Sequence, residues 1–206
     1  METKPTVFVV NENPGICQSL TRLLQSIQIP IEFYSRAADF LQAVDAERRG
    51  CAILDVRIAD MSGVELQQIM QDRGIRLPVI ILTAFGDIPT VIRCMKAGAV
   101  DFFQKPFDEQ LLLEAIWAAL RRNQAYWQQH SETNDIKARL QSLTEAERQV
   151  VDRLLMGKSY KQIAKELHIS YRTVQYRRAQ ILQKMGTDDV PSLAMLVTKV
   201  RLALSA

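Results

Sequence analysis

Four apolar runs in this chain end on groups that could do chemistry together. VFVV at residues 7–10 stops at Asn11-Glu12-Asn13-Pro14-Gly15, and CAILD at 51–55 ends on the carboxylate of Asp55. PVIILT at 78–83 ends on the hydroxyl of Thr83, and DFFQ at 101–104 is followed by Lys105-Pro106. Asn and Pro-Gly are turn formers, which accounts for any one such ending. A turn would have to be invoked separately at all four. The sharper reading is one site at which the carboxylates of Glu12 and Asp55, a hydroxyl and an ammonium handle a metal ion or a phosphate.

Those groups meet only if the runs are neighbouring strands. With IEFY at 31–34 there are five, short, dense and flanked by breakers, as strands buried on both faces should be. Helix-period segments separate them. Pro14 to Ser26 carries Ile16, Leu20, Leu23 and Leu24 on one stripe, Ala37 to Asp45 carries Phe40, Leu41 and Val44, and Ser62 to Asp72 carries Val64, Leu66, Ile69 and Met70. Ile88 to Ala97 carries Val91, Ile92 and Met95 and stops at Gly98, and a further helix starts near Asp108. Strand and helix alternating five times predicts an α/β fold, a doubly wound five-stranded parallel sheet with right-handed crossovers. In such sheets ligands bind at the carboxyl ends of the strands, where these four groups lie.

Composition narrows the class. The 206 residues are 48% hydrophobic and 24% charged, ordinary for one or two soluble domains. No apolar stretch approaches the roughly 18 residues of a membrane span, and METKPTV has no signal-peptide core, so a cytoplasmic protein is expected. Cys17, Cys51 and Cys94 lack metal-ligand spacing and are expected to be buried as small apolar residues; His130 and His168 are isolated. The net charge of +3 is split: residues 1–136 hold 13 Lys and Arg against 17 Asp and Glu, and residues 137–206 hold 13 against 6. An acidic front and a basic back make nucleic acid a natural partner for the second half.

The stretches LDVRIADMSGVEL, PVIILTAFGD and KAGAVDFFQKPF, in that order, make the front half similar to the receiver domain of two-component response regulators, closest to the FixJ-like branch, over about residues 5–122. The resemblance implies a flavodoxin-like fold with Asp55 as phosphoacceptor, Lys105 as the neutralising cation and Mg²⁺ as cofactor. It makes Thr83 the hydrogen-bonding partner of a phosphoryl oxygen, Ala84 the small residue that leaves the site accessible, and Phe102 the aromatic switch. It places Glu12, Asp55 and the Arg57 backbone carbonyl on the metal, Asn11 on a metal-bound water, and a cis bond between Lys105 and Pro106.

Relatives carry two adjacent acids where this chain has Asn11-Glu12. An amide still accepts a hydrogen bond from a metal-bound water but brings no charge. Glu12, Asp55 and Lys105 sum to −1, where the usual pair gives −2. Resting Mg²⁺ affinity is therefore expected to be low. With the phosphoryl group (about −2) and Mg²⁺ in place, the sum is about zero.

The back half changes pattern. No Gly or Pro occurs from Phe107 to Met156, and residues 123–142 are expected to form a partly helical linker between a front domain of 1–122 and a back domain of 143–206. Thr144 with Glu147 three residues on forms a capping-box signature that opens a helix ending at Gly157. Helices follow at Tyr160 to Leu167, about Tyr171 to Met185 and about Val190 to Leu204. Two short helices joined by a tight turn are a helix-turn-helix whose later helix enters the major groove. GKSYKQIAKELHIS followed by TV and KMG resembles the LuxR/NarL-type four-helix output domain, all-α, over residues 143–201. By that resemblance Gln175, Tyr176 and Ala179 face base edges. Lys161, Arg172, Thr173, Arg177 and Arg178 look like phosphate contacts, although many relatives have His at the position of Arg177.

The resemblances together imply a transcription regulator rather than an enzyme, phosphorylated by a histidine kinase, dimeric when active, and partnered by double-stranded DNA and RNA polymerase. The Asn11-Glu12 pair keeps a phosphorylation-independent DNA-binding regulator open as the alternative. The basic helix-turn-helix argues against a pure phosphate sink, and the completeness of the DNA-binding pattern argues against an RNA-binding antiterminator.

Overall fold

The computed structural model describes residues 4–84 and 86–204. Strands β1 (Thr6–Val10), β2 (Ile31–Tyr34), β3 (Gly50–Leu54), β4 (Val79–Thr83) and β5 (Asp101–Gln104) form one parallel sheet in the order β2-β1-β3-β4-β5. Between and after them run α1 (Pro14–Gln25), α2 (Ala37–Ala43), α3 (Gly63–Asp72), α4 (Ile88–Lys96) and α5 (Glu109–Gln141). Successive strand residues point to opposite faces, so each buried run feeds two cores. Phe8, Val10, Ala52, Leu54, Val79 and Ile81 pack with Phe40, Leu41, Leu66, Met70 and Cys94 from α2, α3 and α4. Val7, Val9, Cys51, Ile53, Ile80 and Leu82 pack with Leu20 and Leu24 of α1 and with Leu112, Ile116 and Leu120 of α5.

The register of β1 and β3 positions the site. Val10 lies opposite Leu54, so the next residues, Asn11 and Asp55, emerge side by side where the strand order reverses. Gly50 lets the other end close. Its φ is +139°, and a Cβ there would lie 1.8 Å from the Thr6 carbonyl oxygen. Asn123 of α5, buried, seals that end: its Oδ1 accepts from Gly50 N–H at 2.9 Å and its Nδ2 donates to the Arg76 carbonyl at 3.0 Å.

Contacts divide the chain into two compact units, one up to Trp127 and one from Gln128. The segment 123–142 is helical through Gln141, as part of α5. The second unit adds α6 (Glu145–Leu155), α7 (Tyr160–Glu166), α8 (Tyr171–Met185) and α9 (Val190–Leu204). Val150, Val151, Leu154, Ile163, Val174, Ile181, Leu182, Met185, Leu193, Val197 and Val200 form its core. Three N-caps order it: Thr144 with Glu147 and Ser159 with Gln162 are full capping boxes, and Ser170 caps α8. Among the described residues no helix is long and apolar enough to cross a membrane.

Glu147 does more than cap. Its carboxylate, 9% exposed, accepts from Lys184 Nζ of α8 at 2.8 Å through both oxygens, which fastens α6 to α8. Burial raises the carboxyl, but the bonds from Lys184 and Thr144 outweigh it and hold it below the ordinary glutamate value. A depressed carboxyl stabilises the fold fully above its unfolded value, about 4.3, and that contribution disappears as pH falls through the folded value. Glu147→Gln is therefore expected to lower the stability of the second unit at pH 7 by about 2 kcal/mol and to flatten its acid-unfolding profile. Thermal melts of both proteins from pH 7 to pH 3 check this.

Candidate functional site

The break at NENPG turns out to serve two purposes. Asn13 caps α1, its Oδ1 accepting from Gly15 N–H at 2.9 Å and Ile16 N–H at 3.3 Å, with Pro14 at the first helical position. Asn11, buried, turns the other way. Its Oδ1 accepts from Asn13 N–H at 2.8 Å, and its Nδ2 donates to Asp55 Oδ2 at 3.0 Å. These two partners, a donor and a carboxylate, dictate which way the amide faces.

Asp55 is where the pocket converges. Lys105 Nζ donates to Oδ2 at 2.7 Å, beside Asn11, and Arg57 N–H donates to Oδ1 at 3.2 Å. The Asp55 and Lys105 side chains are 15% and 14% exposed, enclosed but open to a small reactant. The Asp55 backbone N–H donates to the Val10 carbonyl and that of Lys105 to the Thr83 carbonyl, so the sheet ladder continues one residue into the site. The Lys105-Pro106 bond is cis. Thr83 is fully buried at the end of β4, and Ala84 after it is exposed. Phe102, half-buried, packs against the core beneath α4. A cleft lined in part by Val56, Arg57, Ala84, Asp87 and Arg93 opens along the residues that follow Asp55 and Thr83.

Glu12 is exposed at the rim. Among the described residues no three His, Cys, Asp or Glu side chains gather as a metal cluster. The groups that would hold Mg²⁺, the carboxylates of Glu12 and Asp55 and the Arg57 carbonyl, are hard oxygens, the donor type this ion takes while keeping several of its waters. Asn11 bonds Asp55 directly. One lone pair of its acceptor oxygen already serves Asn13 N–H, and its donor faces the phosphoacceptor candidate directly.

In the second unit, α7 and α8 meet through a turn in which His168 takes φ +53°. Arg172, Gln175, Tyr176 and Ala179 are exposed on α8, Thr173 and Arg177 are half-buried there, and Lys161 is exposed on α7. Arg178 is turned inward: its guanidinium carbon lies 5.9 Å from the Tyr160 ring centroid and its Nε is buried. Pattern reasoning on the sequence missed Asn123, the Glu147–Lys184 pair and Asp60, whose carboxylate reaches α2 from the loop after β3. No local signal announces any of these, because each partner lies more than 20 residues away.

Comparison with known proteins matches both units. The response regulator receiver domain model matches residues 7–117, and the model for bacterial regulatory proteins of the luxR family matches residues 141–197. The transcriptional regulatory protein TdiR of Thauera aromatica is 39% identical over 94% of this chain and 86% of its own length. The transcriptional regulatory protein FixJ of Rhizobium meliloti is 38% identical over 98% of this chain and 97% of its own. Among solved structures, the response regulator StyR aligns over 96% of this chain and all of its own, with a TM-score of 0.88 and 39% identity. Full-length FixJ from B. japonicum aligns over 97% of this chain and 98% of its own, with a TM-score of 0.59 and 34% identity.

Proposed function

The chain belongs to the two-component response regulators that carry a LuxR-type DNA-binding domain, and from that premise we propose that Asp55 is the residue through which a histidine kinase controls it. The convergence of Lys105 and Asn11 on one oxygen of Asp55 carries this reading. An Asp55 oxygen attacks the phosphorus of the kinase's phosphohistidine. The new P–O bond forms as the P–N bond breaks, and the imidazole leaves with the bonding pair. Lys105 neutralises charge on the phosphoryl oxygens, and Thr83 donates its hydroxyl to one of them. Mg²⁺, held by Glu12, Asp55 and the Arg57 carbonyl, supplies further charge neutralisation when bound. Movement of Thr83 toward the phosphoryl group frees space for Phe102 to swing inward. That change is read at α4, where Ile88, Ile92 and Met95 stand exposed at helical spacing.

Phosphorylation then drives dimerisation in the cytoplasm, and paired output domains grip a two-fold related DNA site where RNA polymerase is regulated. One recognition helix contacts few base pairs, and two linked half-sites multiply affinity. Gln175→Ala is expected to cost about 1–3 kcal/mol on the preferred operator and to relax preference at one base pair. Arg172→Ala is expected to weaken all sequences alike and to reduce the salt slope of binding by about one. Titrations of operator and scrambled duplexes at several salt concentrations separate the two.

A second reading has its own support. Asp55 already receives two donors on Oδ2 and one on Oδ1, and the usual first acid is an amide, so the pocket has features of a settled resting state. In that case the receiver answers another input. The deciding experiment measures the mass of the full chain with Mg²⁺, before and after adding beryllofluoride. A dimer that appears only with both supports phosphorylation control. A monomer that ignores both while binding DNA supports the second reading.

A further inference from the structure

Asp60 sits at the tip of the turn that follows the phosphoacceptor strand. The turn folds back on itself: Arg57 and Ser62 form an antiparallel bridge, Ile58 N–H donates to the Met61 carbonyl at 3.3 Å, and Gly63 N–H donates to the Val56 carbonyl at 2.9 Å. Its root is pressed against the phosphoacceptor's own backbone, since a Cβ on Gly63 would lie 2.3 Å from the Asp55 carbonyl oxygen. A short turn bonded within itself moves as one body. With the root fixed, the position of the tip sets its tilt.

The tip is held by a different helix. Asp60 Oδ1 accepts from Ala37 N–H at 2.9 Å and Oδ2 from Ala38 N–H at 3.0 Å, and Arg36 Nε lies 3.9 Å away. Ala37 opens α2, whose N-cap, Arg36, makes no capping bond of its own. An arginine offers only donors, so it cannot satisfy the free amides of a helix start. The carboxylate from the β3–α3 turn satisfies two of them. Asp60 is exposed at the tip of the turn, yet both of its side-chain oxygens are engaged.

We infer that Asp60 is a positioning residue for the phosphoacceptor pocket: its grip on α2 fixes the tilt of the Arg57–Ser62 turn, and with it the Arg57 carbonyl offered to a divalent cation. This rests on the phosphoacceptor reading of Asp55. Mg²⁺ demands near-ideal octahedral geometry, so a small tilt of one ligand lowers affinity disproportionately. The coupling is reciprocal, because a cation that holds the turn also strengthens the cap on α2.

The test uses the full chain and Mg²⁺ alone, without phosphoryl donor. Calorimetric titration gives the Mg²⁺ dissociation constant of wild type, Asp60→Ala and Asp60→Asn, with thermal midpoints measured alongside. Amide exchange at Ala37 and Ala38 is followed with and without Mg²⁺. The expected result is at least fivefold weaker Mg²⁺ binding in Asp60→Ala and an intermediate loss in Asp60→Asn, which keeps one acceptor. Mg²⁺ should also slow exchange at both amides in wild type. Lower thermal midpoints with unchanged Mg²⁺ affinity overturn the inference and leave Asp60 as a cap for α2 only. If Asp60→Ala does not fold, the Asn variant and the wild-type exchange decide alone. Wild-type protein that binds no Mg²⁺ overturns the inference together with the metal-dependent reading of Asp55 on which it rests.

Discussion

Asp55→Asn is expected to reduce phosphoryl incorporation to background, measured as acid-labile, base-labile phosphate after incubation with a phosphorylated histidine kinase. An amide cannot form the acyl phosphate, and Glu12 is not placed to substitute. Glu12 lies at the exposed rim, outside the shell of donors that Asp55 receives from Asn11, Arg57 and Lys105. The variant should remain folded, because an asparagine carbonyl can still accept from Arg57 N–H. It leaves the Lys105 ammonium, 14% exposed, without its counter-charge, so a modest fall in melting temperature accompanies the loss. Beryllofluoride with Mg²⁺ should then leave the variant monomeric. Phosphate incorporation at the wild-type level would move the acceptor to another residue and sink the assignment.

Asn11→Asp is expected to tighten resting Mg²⁺ binding by about 10- to 100-fold, or about 1.4–2.8 kcal/mol. A unit charge about 5 Å from a divalent ion contributes several kcal/mol at an effective dielectric of about 20, most of which desolvation offsets. The substitution has a second effect that the sequence alone does not announce. The Asn11 amide now donates to Asp55 Oδ2 at 3.0 Å, and a carboxylate there replaces an attraction with a repulsion. Without Mg²⁺ the variant should melt at a lower temperature than the wild type, and saturating Mg²⁺ should reverse much of that difference. Calorimetry and thermal melts with and without the ion measure both effects. Equal Mg²⁺ affinity in the two proteins would show that the missing charge does not set the metal's affinity.

The central strands β1, β3 and β4 were legible because they are buried along their whole length and read as apolar runs, whereas the edge strands β2 and β5 are only partly buried and interrupt theirs with Glu32, Asp101 and Gln104. β3 begins at Gly50, one residue before the run CAIL, and ends at Leu54, which releases Asp55 into the pocket. The start of α6 was legible because the Thr144 cap is local chemistry; the structure adds equally local caps at Ser159 and Ser170. Side-chain partners set by tertiary geometry were not. Lys184 is one of several cations on α8, and only the packing of α6 aims it at Glu147. Arg178 reads as a phosphate contact in a string of basic residues, yet lies over Tyr160. The linker expected to be only partly helical is helical through Gln141, although Ser131 to Asp135 carries several poor helix formers. Burial of Ile136, the Glu132–Lys199 pair and the bond from Arg139 to the Met185 carbonyl hold that turn helical.

Asn123 bears on how this chain can change over generations. Its two partners are main-chain groups, the N–H of Gly50 and the carbonyl of Arg76. A main-chain group survives replacement of its side chain, so position 76 can drift without disturbing the joint. Position 123 has no such freedom. Aspartate has no N–H to give the carbonyl, and leucine would strand a buried donor and a buried acceptor at once. The whole burden of the joint falls on a single codon.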